Sequence, residues 1–149
     1  MSLWRPSVTV AAVIERDGKF LFVEEMIDGR KVINQPAGHL DPGESLAAGC
    51  AREVLEETAH RFEPTGLVGV YRWYYEPKDV TFLRFCFRGK VLGVDSGRKL
   101  DKEIIRVLWL TPAEVKASAA ARSPLVYRCI EDWLAGRNYP LDVFSKEFA

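Results

Sequence analysis

Cysteine is scarce in this chain: three in 149 residues, at Cys50, Cys86 and Cys129. An odd number at such wide spacing excludes a disulfide framework and a zinc cluster, and leaves three reduced packing residues. No apolar run approaches the roughly 18 residues of a membrane span, and no charged segment followed by an apolar stretch opens the chain. Neither a membrane nor export is therefore expected, and the protein is read as cytoplasmic. A surplus of charge is missing too, because twenty-one basic residues cancel twenty-one acidic ones. A dedicated nucleic-acid binder carries a basic excess, so no such role is expected. Internal repeats and low-complexity stretches are absent. What remains is a chain with 48% apolar residues, enough for one good core and expected to form a single domain over residues 1–149, as a monomer or small homo-oligomer.

Against this even background, charge is concentrated between Gly38 and Glu57. Glu53, Glu56 and Glu57 place three carboxylates within five residues. On a helix advancing about 100° per residue they crowd one face, and Ala47, Cys50, Ala51, Val54 and Thr58 form an apolar stripe opposite. Like charges at such spacing repel in water, so the cluster favours a bound cation, and oxygen-only ligands suit Mg²⁺ or Mn²⁺. A solvated acidic face is the ordinary reading of an arbitrary E-x-x-E-E. The flanks argue otherwise: Gly38 precedes a Pro/Gly turn where a missing Cβ lets backbone approach a ligand, and Glu44 stands eight residues before Arg52, placed to hold its guanidinium in a fork.

The pattern Gly38, Glu44, Arg52-Glu53-Val54, Glu56-Glu57 resembles the Nudix box, G-x5-E-x7-R-E-U-x-E-E-x-G-U with U a bulky aliphatic. Every charged position matches. Ala59 departs from the family's glycine and His60 from its final aliphatic, which puts helix termination in question rather than chemistry. The resemblance implies that Glu53, Glu56 and Glu57 ligate metal, that the Gly38 carbonyl joins them, and that Arg52 with Glu44 is a positioning pair. It extends through Val8-Thr9-Val10-Ala11, Gly18-Lys19-Phe20-Leu21, Val23-Glu24-Glu25, Asn34 to Leu40, Phe82-Leu83-Arg84-Phe85, Arg122 to Val126 and Tyr139-Pro140-Leu141, which together are similar to the NudJ-type Nudix phosphatases. That group removes phosphate from nucleoside tri- and diphosphates and from hydroxymethylpyrimidine pyrophosphate. ADP-ribose and diadenosine-polyphosphate hydrolases share the box and are the alternative. A nucleotide-sensing Nudix domain without turnover is a further one, although such domains usually lose box glutamates.

The chain alternates strand and helix signals. Val8–Ile14 and Phe20–Glu25 are β-rich runs joined by Asp17-Gly18, a hairpin signal; a short strand over 31–34 follows a turn at Asp28-Gly29. The acidic helix spans Ser45 to Thr58 with Ser45 as N-cap, and Glu63-Pro64 forbids its continuation, so it should end with Ala59 in a left-handed conformation. Strands are expected over 67–75, 80–91 and 104–110, a capping box at Thr111-Pro112-Ala113-Glu114, and a last helix from Ser123-Pro124 to near Gly136. This is an α/β (α+β) fold, a mixed sheet sandwiched between helices, which is also the Nudix architecture.

The expected chemistry is Mg²⁺-dependent hydrolysis of a phosphoanhydride in a small phosphorylated substrate. An anionic pyrophosphate repels hydroxide, so cations must neutralise its oxygens while a water is held in line. Glu53 or Glu56 is the candidate base. Glu103 opens the strand toward Trp109, where many family members supply a further glutamate as ligand or base. For substrate, Arg84 can receive phosphate as a fork donor and His39 lies beside Gly38. Tyr71, Trp73 and Tyr75 share one strand face with Arg72 and Tyr74 on the other; one face lines core, and Tyr74 is the candidate to stack a base.

Overall fold

A computed structural model describes residues 2–146. The central strand is β1 (Ser7–Val13), whose Val10, Ala11, Ala12 and Val13 are all buried, so it is apolar on both faces. Such a strand belongs inside a sheet. It is flanked by β5 (Ala37–His39), antiparallel, and by β7 (Val80–Val94), parallel, with β6 (His60–Tyr75) antiparallel to β7 at the edge. Alternation along β1 sorts the core into two. Val10 and Ala12 pack with Cys50 and Val54 of α1 (Leu46–Thr58), whereas Ala11 and Val13 pack with Val126, Cys129 and Ile130 of α3 (Leu125–Leu134). The mixed sheet is thus sandwiched between helices, as expected, and the three cysteines are free and buried.

A second, antiparallel sheet is built on β3 (Lys19–Ile27), which pairs with β2 (Glu15–Arg16), β4 (Arg30–Asn34) and β8 (Ile104–Leu110). Here one expectation is corrected. The Asp17-Gly18 turn forms, with φ of 53° and 79°, but only Glu15 and Arg16 pair across it. Apart from the Leu21 N–H donated to the Ile14 carbonyl at 2.9 Å, the run at Val8–Ile14 does not pair with Phe20–Glu25; both its edges are taken by β5 and β7, and the chain crosses between sheets at Ile14. The edge strand also starts earlier than expected, at His60, and passes through Pro64. A proline is tolerated there because β6 is an edge strand and its register shifts between Pro64 and Gly66.

Helix α1 begins on Ser45, whose hydroxyl accepts the Ala48 N–H, and ends as expected: Ala59 has φ 59° and ψ 14°, and its N–H is donated to the Leu55 carbonyl. The capping box at Thr111 and Glu114 opens the short α2 (Pro112–Ala117). No helix among the described residues is long and apolar enough to cross a membrane.

Candidate active site

One cleft of about 330 Å³ gathers residues from both sheets, α1 and the loop before β8. Gly38, His39, Glu53, Glu57, Arg84 and Glu103 line it, together with Trp73, Phe82 and Asp101.

Helix α1 supplies the carboxylates, and Arg52 organises them. Its Nε and Nη2 donate to the two oxygens of Glu44 at 2.9 and 2.6 Å, the fork anticipated from their spacing. Nη1 reaches one oxygen each of Glu53 and Glu56, at 2.8 and 2.9 Å, and Nη2 also donates to the His39 carbonyl. One guanidinium thus ties the end of β5 to three glutamates of the site. The contact holds the Glu44 carboxyl below its ordinary range. At Gly38 a Cβ would overlap the Glu53 carboxylate, which is why glycine stands there.

Glu57 turns inward rather than outward. Only 7% exposed, it accepts the Ala37 N–H at 2.9 Å. Burial, reinforced by the nearby Glu25, Glu53 and Asp101, pushes its carboxyl up to about 9 against the opposing pull of that hydrogen bond. Burial likewise raises Glu53, against Arg52, and it raises Asp101. Glu53, Glu57 and Asp101 bring one oxygen apiece within 4.8 Å of one another. Three partly desolvated carboxylates at that spacing fit a hard divalent cation, because without one at least one of them stays protonated near neutral pH.

Several sequence expectations meet a different geometry. Glu56 stands outside this compact trio and is engaged by Arg52, while Asp101 takes the third place. The Asp101 N–H is donated to the Glu56 carbonyl at 3.0 Å, which pins its loop to the helix end. Periodicity cannot aim a loop residue, so only its acidity and nearness to Glu103 could have flagged it. Glu103 lines the cleft without joining the trio. Arg84 is not an open fork: it is 6% exposed, with Nη1 donating to Gln35 Oε1 and Nη2 to Asn34 Oδ1, both at 2.9 Å. His39 Nδ1 lies 3.1 Å from the Ser7 hydroxyl. Tyr74 is misplaced as a stacking residue; it sits on the sheet face away from the cleft, half exposed, with its hydroxyl donated to Asp79. The alternation was right and the face was wrong: Trp73 points into the cleft and stacks on Phe82, its cross-strand partner.

A mixed sheet between helices, with carboxylates from α1 and the loop before β8 gathered in one cleft, fits the hydrolases of phosphoanhydrides that use a divalent cation. The NUDIX domain family matches residues 3–129, and the chain belongs to the Nudix hydrolases. Among its relatives is Phosphatase NudJ of Escherichia coli (strain K12), 37% identical over 143 residues that cover 96% of this chain and 93% of that protein. A solved NUDIX hydrolase from Nitrosomonas europaea is 52% identical with a TM-score of 0.93, covering 95% of this chain and 97% of that one. A MutT protein from Methanosarcina mazei Go1, 24% identical over 91% of this chain and 99% of its own, shares the fold with a TM-score of 0.73.

Proposed function

We propose that the protein is a Mg²⁺-dependent phosphatase of nucleoside tri- and diphosphates that also acts on hydroxymethylpyrimidine pyrophosphate. The observation that carries this reading is the trio Glu53, Glu57 and Asp101 in the wall of a cleft that also offers aromatic surface. The likeness to Phosphatase NudJ over nearly the whole chain supports phosphate release in particular. Bound there, Mg²⁺, or Mn²⁺ in its place, would neutralise phosphate oxygens and lower the barrier to attack at phosphorus. The Gly38 carbonyl, beside Glu53, is a further ligand in this reading.

The chain's own groups divide the remaining work. Arg52 fixes Glu53 and Glu56 through a single nitrogen, Nη1; Glu56, outside the trio, keeps a second oxygen with which to take the proton of an attacking water, and Glu53 is the alternative base if it leaves the cation. Glu57 holds its place through the Ala37 N–H. Glu103 at the rim is a second-line acceptor. The substrate is a small phosphorylated molecule. The deciding measurement is incubation with Mg²⁺ and a panel of nucleoside di- and triphosphates, hydroxymethylpyrimidine pyrophosphate, ADP-ribose and diadenosine polyphosphates. Inorganic phosphate from the first two classes is the expected product. Turnover of ADP-ribose or diadenosine polyphosphates alone would place the enzyme among the other Nudix pyrophosphohydrolases, and binding without turnover would make it a sensor.

A further inference from the structure

The cleft holds a polar group that phosphoanhydride chemistry does not use. Asn34, at the end of β4, is 4% exposed. Its Oδ1 accepts Arg84 Nη2, and a guanidinium only donates, so the orientation of the amide is fixed with its NH₂ turned away from Arg84. Gln35 is held the same way by Arg84 Nη1, and its Nε2 is spent on the Val126 carbonyl at 2.6 Å. Asn34 Nδ2 has no such partner among the described residues. No side-chain nitrogen or oxygen among the described residues is both sealed from solvent and unpaired, so this NH₂ opens on the cleft that Asn34 lines. A nearly buried donor locked in one direction and open only to the cleft is placed to give its hydrogen bond to a ligand there.

An aromatic wall lines the same cleft. Trp73 and Phe82 stack with centroids 5.7 Å apart and planes 18° from parallel, and both remain partly exposed. Phe82 and Arg84 lie two residues apart on β7, so their side chains leave the same sheet face, and Arg84 carries Asn34. Ile27 and Leu125 add apolar lining. An aromatic wall beside a fixed donor matches a heterocycle with an acceptor on its edge.

We propose that Trp73, Phe82 and Asn34 form the seat of the substrate's heterocyclic base, with the stacked pair Trp73 and Phe82 forming the aromatic wall against which the ring packs and Asn34 Nδ2 donating to a carbonyl oxygen or ring nitrogen on its edge. This rests on the phosphatase reading above and names the part of the substrate that the carboxylates do not contact. Binding energy from the base then depends on aromatic contact and one acceptor, a recognition that accepts several bases and gives nothing to phosphate chains without a ring.

The test separates ring from phosphate and needs no turnover. Titration calorimetry in Mg²⁺ compares the α,β-methylene analogues of ADP and UDP, which cannot be hydrolysed at that bridge, with methylenediphosphonate, which has no ring. Wild type should bind both nucleotide analogues at least about tenfold more tightly than methylenediphosphonate. Trp73→Ala should weaken the nucleotide analogues about tenfold. Asn34→Asp keeps an oxygen for Arg84 and replaces the donor with an anionic acceptor, and should weaken them by a similar factor. Methylenediphosphonate should stay within about twofold of wild type in both variants, which also shows that the site is folded. Equal wild-type affinity for all three ligands, or variants that weaken them alike, would overturn the proposal. Because only binding is read, a protein that fails to release phosphate from any substrate leaves this result standing, and the two readings fail separately.

Discussion

Glu57 shows what a single residue carries. Its carboxyl, raised to about 9, is protonated in the folded protein at neutral pH when no cation is present, whereas in the unfolded chain it titrates near its ordinary 4.5. A folded-state value above the unfolded one means that this group favours folding fully below pH 4.5 and that the contribution is lost as pH rises toward 9. Glu57→Gln keeps the acceptor for the Ala37 N–H and removes the titration. In chelator the variant should therefore match wild-type stability near pH 4.5 and exceed it increasingly up to pH 9, read as the difference in denaturant midpoints. Its turnover with Mg²⁺ should fall at least about a hundredfold, since a principal electrostatic group is lost. A variant as active as wild type would reject the assignment. Arg52→Lys keeps the charge and loses the two-nitrogen fork onto Glu44, so kcat should drop about tenfold or more while the denaturant midpoint moves little. Box residues of this kind are legible in the sequence because their spacing is itself the geometry of a helix face. Asn34, Trp73 and Asp101 are not, for their roles depend on which strand face or loop meets the cleft, and that is decided by distant partners.

At the scale of elements, α1 is readable at both ends because its signals are local: a serine cap at one, and Glu63-Pro64 beyond the other. Ala59 carries the cost of the turn. A left-handed alanine is disfavoured by about 1 to 2 kcal/mol relative to glycine, but its methyl is buried at 7% exposure, and losing it gives back about 0.8 kcal/mol. Ala59→Gly should therefore stabilise by a few tenths to about 1 kcal/mol, seen as a thermal midpoint higher by up to about 4 °C with kcat unchanged. A lowered midpoint would mean that the methyl outweighs the backbone. The strands are legible as segments and not as partners. The runs of β1 and β3 are apolar enough to be found, yet the Asp17-Gly18 turn suggests that they pair, and only the distant strands β5 and β7, which take both edges of β1, place them in different sheets.

Over the whole molecule, the carboxylate cluster joins parts that are distant in the chain. Glu53 and Glu57 come from α1 and Asp101 from the loop before β8, so a cation bound by all three stabilises only the assembled fold. At a Mg²⁺ concentration a hundredfold above its dissociation constant the gain is about 2.7 kcal/mol, a rise of about 5 to 10 °C in thermal midpoint at this size, and chelator should reverse it. Calorimetric scans with and without chelator measure it directly; an unchanged midpoint would exclude a cation shared across the three.

The parallel pairing of β1 with β7 carries a kinetic consequence. Ser7 lies opposite Phe82, and between them the chain must first make the second sheet's hairpins, β5 and the helix. Closing a loop of some seventy-five residues is slow, and the central strand gains its second neighbour only when that closure is complete. Asp101 follows β7 in sequence, so the cation cannot be fully gripped until the slow step is over. In stopped-flow experiments Mg²⁺ should leave the refolding rate nearly unchanged and slow unfolding, because its stabilisation falls on contacts formed after the barrier. The ion would then act as a latch on the finished fold and not as a guide toward it.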